Sequence, residues 1–181
     1  LVLPGEPLDR NQIISSNSIG LAAFVTAAGG QPVNLGIARD DAASLISKLE
    51  GIRSMDMLIT IGGASVGDYD LVKQVLGGEG MNIPFSRVAM RPGKPMIFGH
   101  LNDTPVLGLP GNPVSAGVTC VVFLILAMDM MLGIDTADEQ KETAVLGRDL
   151  GENDQRQDYL RAELTRTEDG ALSALPFEVQ D

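Results

Sequence analysis

Three stretches of this chain hold residues able to manage an anion. Between Gly80 and Asn102 no carboxylate occurs, yet Arg87, Arg91, Lys94 and His100 all fall there, in a chain of net charge −11. Such a segment marks either a specific anion site or an ordinary solvated basic patch. Read as a strand, residues 83–90 put Arg87 and Arg91 on one face, because four residues is an even step. Lys94 follows in Arg91-Pro92-Gly93-Lys94, a turn whose prolines fix its geometry and let it reach the same spot.

The second stretch is Gly62-Gly63-Ala64-Ser65-Val66-Gly67-Asp68-Tyr69-Asp70. It joins an apolar run, 55–61, to a helical pattern in Leu71, Val72, Val75 and Leu76 that Gly77-Gly78 closes. Glycines let a backbone approach a ligand closely, and helix N-terminal amides favour an anion. A tight structural turn explains Gly62, Gly63 and Ser65 equally well. Asp68 reads as the helix cap, and Asp70 as a first-turn acid favourable to the helix dipole. The third stretch, Pro110-Gly111-Asn112-Pro113-Val114-Ser115, opens a long apolar helix, with Asn112 its natural cap and Pro113 in its first turn.

The elements that position these stretches alternate. Residues 12–15 read as a short strand, and Asn17 caps a helix carrying Leu21, Phe24, Val25 and Ala28. Residues 32–37 read as the next strand, and Asp40 or Asp41 caps a helix closed by Gly51. The glycine unit follows, then strands over 83–90, 95–99 and 104–109. Alternation predicts an α/β fold with a mostly parallel sheet and helices on both faces, three layers in all. After a polar linker the chain turns acidic and alternating, with a Glu168-Asp169-Gly170 turn, which predicts a small β hairpin packed on something else. The expected division is 1–137 for the α/β domain and 138–181 for part of an all-β domain.

Composition excludes several functions. Net acidity argues against nucleic-acid binding. Cys120 is the single cysteine, so no disulfide framework forms and a reducing, cytoplasmic setting is expected. His100 and Cys120 cannot make a zinc site. The apolar run from Val114 to Met128 falls short of the ~20 residues of a membrane span and reads as a core helix. The methionines near its end read as packing. The chain opens on Leu1 without a signal peptide and is expected to be a fragment.

The glycine stretch, Ala89-Met90-Arg91-Pro92-Gly93-Lys94-Pro95 and Gly108 to Ser115, in that order, resemble the molybdopterin molybdenumtransferases. Ser16-Asn17 and Gly36-Ile37-Ala38-Arg39-Asp40-Asp41 fit the same pattern. The resemblance covers 1–134 strongly and 135–181 more weakly. It implies a transferase of molybdenum-cofactor synthesis, which takes adenylylated molybdopterin and molybdate, releases AMP and inserts molybdenum. It implies Asp70 as the magnesium ligand or the group orienting the attack, with Arg91 and Lys94 acting beside it. Gly62, Gly63 and Ser65 would bind the pterin-phosphate, Arg87 would join the cation cluster, and Asp40 matches a substrate-binding acid, though capping the next helix explains it nearly as well. Pro95, Pro110, Asn112, Pro113 and Ser115 would enclose molybdate. Arg161 matches an arginine that faces molybdate, though a salt bridge to Glu163 or Glu168 explains it as well.

Many members carry lysine where Arg87 and Arg91 stand, so a lysine-specific role there is in doubt but anion binding is not. The resemblance further implies a homodimer whose second subunit completes the site, and molybdopterin adenylyltransferase as a partner. Two related readings compete: a molybdopterin adenylyltransferase, and a non-catalytic scaffold module of the same fold. The Ala64-to-Asp68 loop and the β tail favour the insertion enzyme.

Overall fold

The computed structural model describes residues 1–49, 51–63, 71–135 and 142–180. The glycine stretch from Ala64 to Asp70, with its Ser65, Asp68 and Asp70, lies outside the described residues, as does the expected boundary at 137/138.

The central sheet has the order β1-β5-β4-β2, formed by β1 (Leu58–Ile61), β2 (Asn82–Phe85), β4 (Ile97–Leu101) and β5 (Thr104–Leu109). β1 runs parallel to β5, whereas β5, β4 and β2 pair antiparallel in turn. Period-2 alternation sends neighbouring side chains of β5 to opposite faces. Val106 thus joins Leu58, Ile97, Leu76 and Met81 in one core, and Leu107 and Leu109 join Leu21, Cys120 and Leu124 in the other. Helices α2 (Ala42–Lys48) and α3 (Leu71–Gly78) lie on the first side, and α1 (Asn17–Ala27) on the second with the long helix. The three-layer α/β/α reading holds.

That long helix runs from α4 (Pro113–Thr119) through a π-helical stretch, Cys120–Ile125, into α5 (Leu126–Met131). By length and composition it is apolar enough to cross a membrane, which corrects the expectation that the run is too short. One side is core, with Ala116, Cys120 and Leu124 buried. Only 22 % of it is buried, however, so it is a core helix on one face alone.

Three expected strands need correction. Residues 12–15 contribute only an isolated bridge between Val2 and Ile14, and no strand forms over 32–37. Ile13 and Val33 stay exposed, so their alternation finds no partner to pair with. The strand expected over 83–90 shifts register against β4 between Asn82 and Phe85, ends at Phe85, and resumes as β3 (Met90–Arg91). Arg87 therefore sits in the irregular connection between β2 and β3, and the even-step reason for placing it beside Arg91 fails.

The acidic tail forms β6 (Val145–Leu146), β7 (Gln157–Asp158), β8 (Ala162–Arg166) and β9 (Leu172–Pro176). β8 and β9 make the expected hairpin around Gly170, whose φ of 86° suits glycine. β6 adds to β9 in parallel. The tail does pack elsewhere: β7 leaves this sheet and pairs in parallel with β3.

Candidate functional site

β1 and β5 end side by side, because Ile61 pairs with Leu109. The loops that follow them touch. The Gly62 N–H donates to the Leu109 carbonyl at 2.8 Å, and Gly62 turns left-handed at a φ of 76°. A Cβ on Gly111 would stand a tight 3.3 Å from the Gly62 Cα, while one on Gly62 would meet Gly111 at an ordinary 3.6 Å. Asn17, expected as a helix cap, makes no such bond; Ser16 holds that position. The Asn17 Nδ2 instead donates to the Gly111 carbonyl at 2.8 Å and ties α1 to the loop.

Asn112 caps α4 as its type predicts. Its Oδ1 accepts from the Val114 N–H at 2.9 Å and the Ser115 N–H at 3.0 Å, and Pro113 has no N–H to offer. The cap and the anion-binding reading of this helix start therefore compete for the same amides. Ser115 is buried, its carbonyl accepting from the Thr119 Oγ1 at 2.7 Å. What the loop presents to a ligand is its exposed Gly111, Asn112 and Pro113, above a buried Pro110.

The cation corner packs at the far end of α4, nearly two turns beyond the cap. Gly93, at a φ of 109°, packs so closely on α4 that a Cβ there would stand 2.5 Å from the Thr119 Cγ2. The Lys94 carbonyl accepts from both Val88 and Met96 N–H groups at 3.1 Å, which locks the turn. The Arg91–Pro92 peptide is cis. Lys94 and Arg91 are exposed, with Pro95 half-buried beside them. Arg91 is not a lone cation: its Nη2 donates to Asp158 Oδ2 of the tail. Nearby, the Asp154 carboxyl is lowered to about 2, chiefly by hydrogen bonds from the Arg156 side chain and backbone, with a smaller pull from Arg91.

The tail faces α4 across a groove of about 480 Å³ lined by Phe24, Pro113, Val121, Tyr159, Leu160 and Arg161 among others. Arg161 thus shares a groove with Pro113. Neither salt bridge considered for it forms. Its Nη2 donates to the Val179 carbonyl at 2.9 Å, and its guanidinium lies 5.9 Å from the Phe177 ring centroid.

Not every expected residue converges. Arg87 is exposed in the β2–β3 connection, and Asp40 is exposed before α2, whose cap is Asp41, accepting from the Ser44 N–H at 2.7 Å. Among the described residues neither has a hydrogen bond or ion pair to these loops. Nor do the described residues hold a cluster of three His, Cys, Asp or Glu side chains fit for a metal. Asp158 was not singled out from the sequence, because its partner Arg91 lies 67 positions away. Burial raises the Cys120 thiol to about 11, so it stays protonated and structural.

Residues 2–129 match the family described as "Probable molybdopterin binding domain". The chain belongs to the molybdopterin-binding domain family. Within the family it is 38% identical over 168 residues to molybdopterin molybdenumtransferase 2 of Mycobacterium tuberculosis H37Rv, covering 90% of this chain and 42% of that protein. It is 33% identical over 172 residues to the molybdopterin molybdenumtransferase of Bacillus subtilis, covering 94% of this chain and 40% of that protein. Its fold is similar to that of the molybdopterin biosynthesis MoeA protein of Pyrococcus horikoshii, with a TM-score of 0.79 at 28% identity, over 97% of this chain and 42% of that one. The chain thus spans about two-fifths of the length of these relatives.

Proposed function

We propose that the protein carrying this chain inserts molybdenum from molybdate into adenylylated molybdopterin with release of AMP. This chain would supply the molybdopterin-binding α/β domain, 1–137, and part of a β domain, 138–181. One observation carries the reading: the loops after β1 and β5 meet at Gly62 and Gly111, while Gly93 seats the Arg91–Lys94 turn on the helix that Asn112 caps. The glycine contact draws the two loops into one surface for a flat pterin, and the exposed Arg91 and Lys94 would supply cationic charge for its phosphate.

The chemistry asks for charge stabilisation rather than covalent catalysis. As the phosphoanhydride is hydrolysed, negative charge grows on its oxygens, and Lys94 and Arg91 would meet it with fixed donors. Lys94 is a compact point charge suited to a tetrahedral oxyanion, and Pro95, Pro110, Asn112, Pro113 and Ser115 would shape the molybdate end. Gly62, Gly63 and Ser65 would hold the pterin-phosphate, and Arg161 would face molybdate from the tail. Asp40 and Arg87 belong to this reading only through the resemblance to the family. Asp70 is the assigned acid on the same ground. Among the described residues no cluster of acids stands fit for magnesium.

The names of the relatives and the presence of the β tail support this activity over an adenylyltransferase or a scaffold. A homodimer sharing the site, the adenylyltransferase as a partner and a cytoplasmic setting complete the reading. The test is AMP release by the full-length protein from adenylylated molybdopterin with molybdate. A protein that instead consumed ATP with unmodified molybdopterin would be the adenylyltransferase. Lys94→Ala and Asp70→Asn should abolish turnover, whereas in a scaffold neither change would cost any activity.

A further inference from the structure

The tail lends a strand to the cation corner. Met90 pairs with Gln157 and Arg91 with Asp158, while the Gln157 N–H donates to the Ala89 carbonyl and the Tyr159 N–H to the Arg91 carbonyl, each at 2.8 Å. The side chains repeat the link, with Arg91 Nη2 on Asp158 Oδ2. The two partners are unequally placed. The Asp158 side chain is 16% exposed and the Arg91 side chain 46%. The carboxylate is thus the inner anchor and the guanidinium the outer arm.

A second observation makes the acid more than a strand residue. Asp158 Oδ1 is buried with no hydrogen-bond partner, which costs desolvation that a neutral or apolar side chain would avoid. A half-exposed ion pair adds little stability in return. What the pair does supply is direction. A guanidinium carries five N–H donors in a planar fork, and a carboxylate on one edge fixes where the others aim. The residues after Asp158, Tyr159 to Arg161, then line the groove opposite Pro113 and α4. One acid in the tail therefore bears on Arg91, while the β3–β7 backbone pairing carries the segment that reaches the groove.

We propose that Asp158 is a positioning residue of the anion site: its carboxylate, held against β3 by β7, aims the Arg91 guanidinium at the phosphate of the bound pterin. This rests on the reading of Arg91 as an anion-binding cation. The test uses the full-length protein, with Arg91→Ala, Asp158→Ala and Asp158→Asn, and measures the Kd of adenylylated molybdopterin with limited proteolysis of the tail. The expected result is about a tenfold weaker Kd for Asp158→Ala, about what one charged hydrogen bond to the ligand contributes. Tail protection should be kept, because the β3–β7 backbone bonds remain. Asp158→Asn keeps an acceptor for Arg91 Nη2 and should fall between the two.

The swap of Arg91→Asp with Asp158→Arg should restore a tail pairing but not ligand binding, since the outer arm is then an acid. A purely structural pair would recover both. If Arg91→Ala weakens binding while Asp158→Ala and Asp158→Asn bind as the wild type does, the positioning role is overturned and the anion site stands. If Arg91→Ala itself binds normally, the assignment of Arg91 to the anion falls, and the role of Asp158 falls with it.

Discussion

Gly62 and Gly111 meet backbone to backbone, with a Cβ on either one placed 3.3–3.6 Å from the other's Cα. The contact makes one surface of two loops whose parent strands, β1 and β5, are paired in parallel. The two glycines differ, however, because only Gly62 has a positive φ. Gly62→Ala should cost about 1–2 kcal/mol of stability from the left-handed backbone, read as a lower Tm. Gly111→Ala carries no such strain. It should keep most of its stability and lose molybdopterin affinity as the loops are pushed apart. Unchanged affinity would mean that the ligand does not use this crevice.

Asn112 separates the cap from the ligand. Asn112→Ala removes the acceptor of two helix N–H groups and should destabilise by about 1 kcal/mol in denaturant unfolding. Asn112→Asp caps as well as asparagine, so stability should hold while a new negative charge faces the incoming anion. Weaker binding with an unchanged midpoint is the expected pair of results. Equal binding would place this loop away from the phosphate and the molybdate.

Asn17→Ala removes a hydrogen bond that crosses from α1 to the Gly111 carbonyl. The bond is exposed, so the expected loss is at most about 1 kcal/mol. Amide exchange should quicken at residues 110–112 more than in α1 itself. Uniform protection would show that α1 does not hold the loop.

How much of this was legible before the fold was known differs from residue to residue. The apolar runs at 58–61 and 104–109 are buried enough to announce themselves, and Asn112-Pro113 announces a helix start through its chemistry alone. Gly170 marks its hairpin in the same local way. What failed was pairing. Residues 12–15 and 32–37 carry the strand period, but a strand needs a neighbour, and local pattern does not say whether one is there. Arg87 was misplaced because β2 ends at Phe85, and where a strand ends depends on the neighbour it pairs with. Asp158 was invisible for the same reason, being opposite Arg91 only once β7 docks on β3. The cap at Asn112 was read correctly, yet that it uses up the amides expected for an anion needed the geometry.

Cys120 tests the core beside the site. Burial raises its thiol from 9.0 to about 11, so the native state resists its ionisation. Between those values the unfolded chain binds fewer protons than the native one, and stability should fall as pH rises through that window. At neutral pH iodoacetamide should modify Cys120 only as fast as the domain opens. Rapid labelling of the native protein would mean that the α4 side of the core is looser than its burial indicates.

The central claim is that the corner seated on Thr119 by Gly93 delivers cationic charge to a pterin-bound phosphate. The most direct measurement is AMP release from adenylylated molybdopterin with molybdate, comparing wild-type full-length protein with Lys94→Ala. A loss of two orders of magnitude or more, about what removing one fixed donor to a developing oxyanion costs, is the predicted result, with Tm unchanged. Turnover within a few-fold of wild type would contradict it.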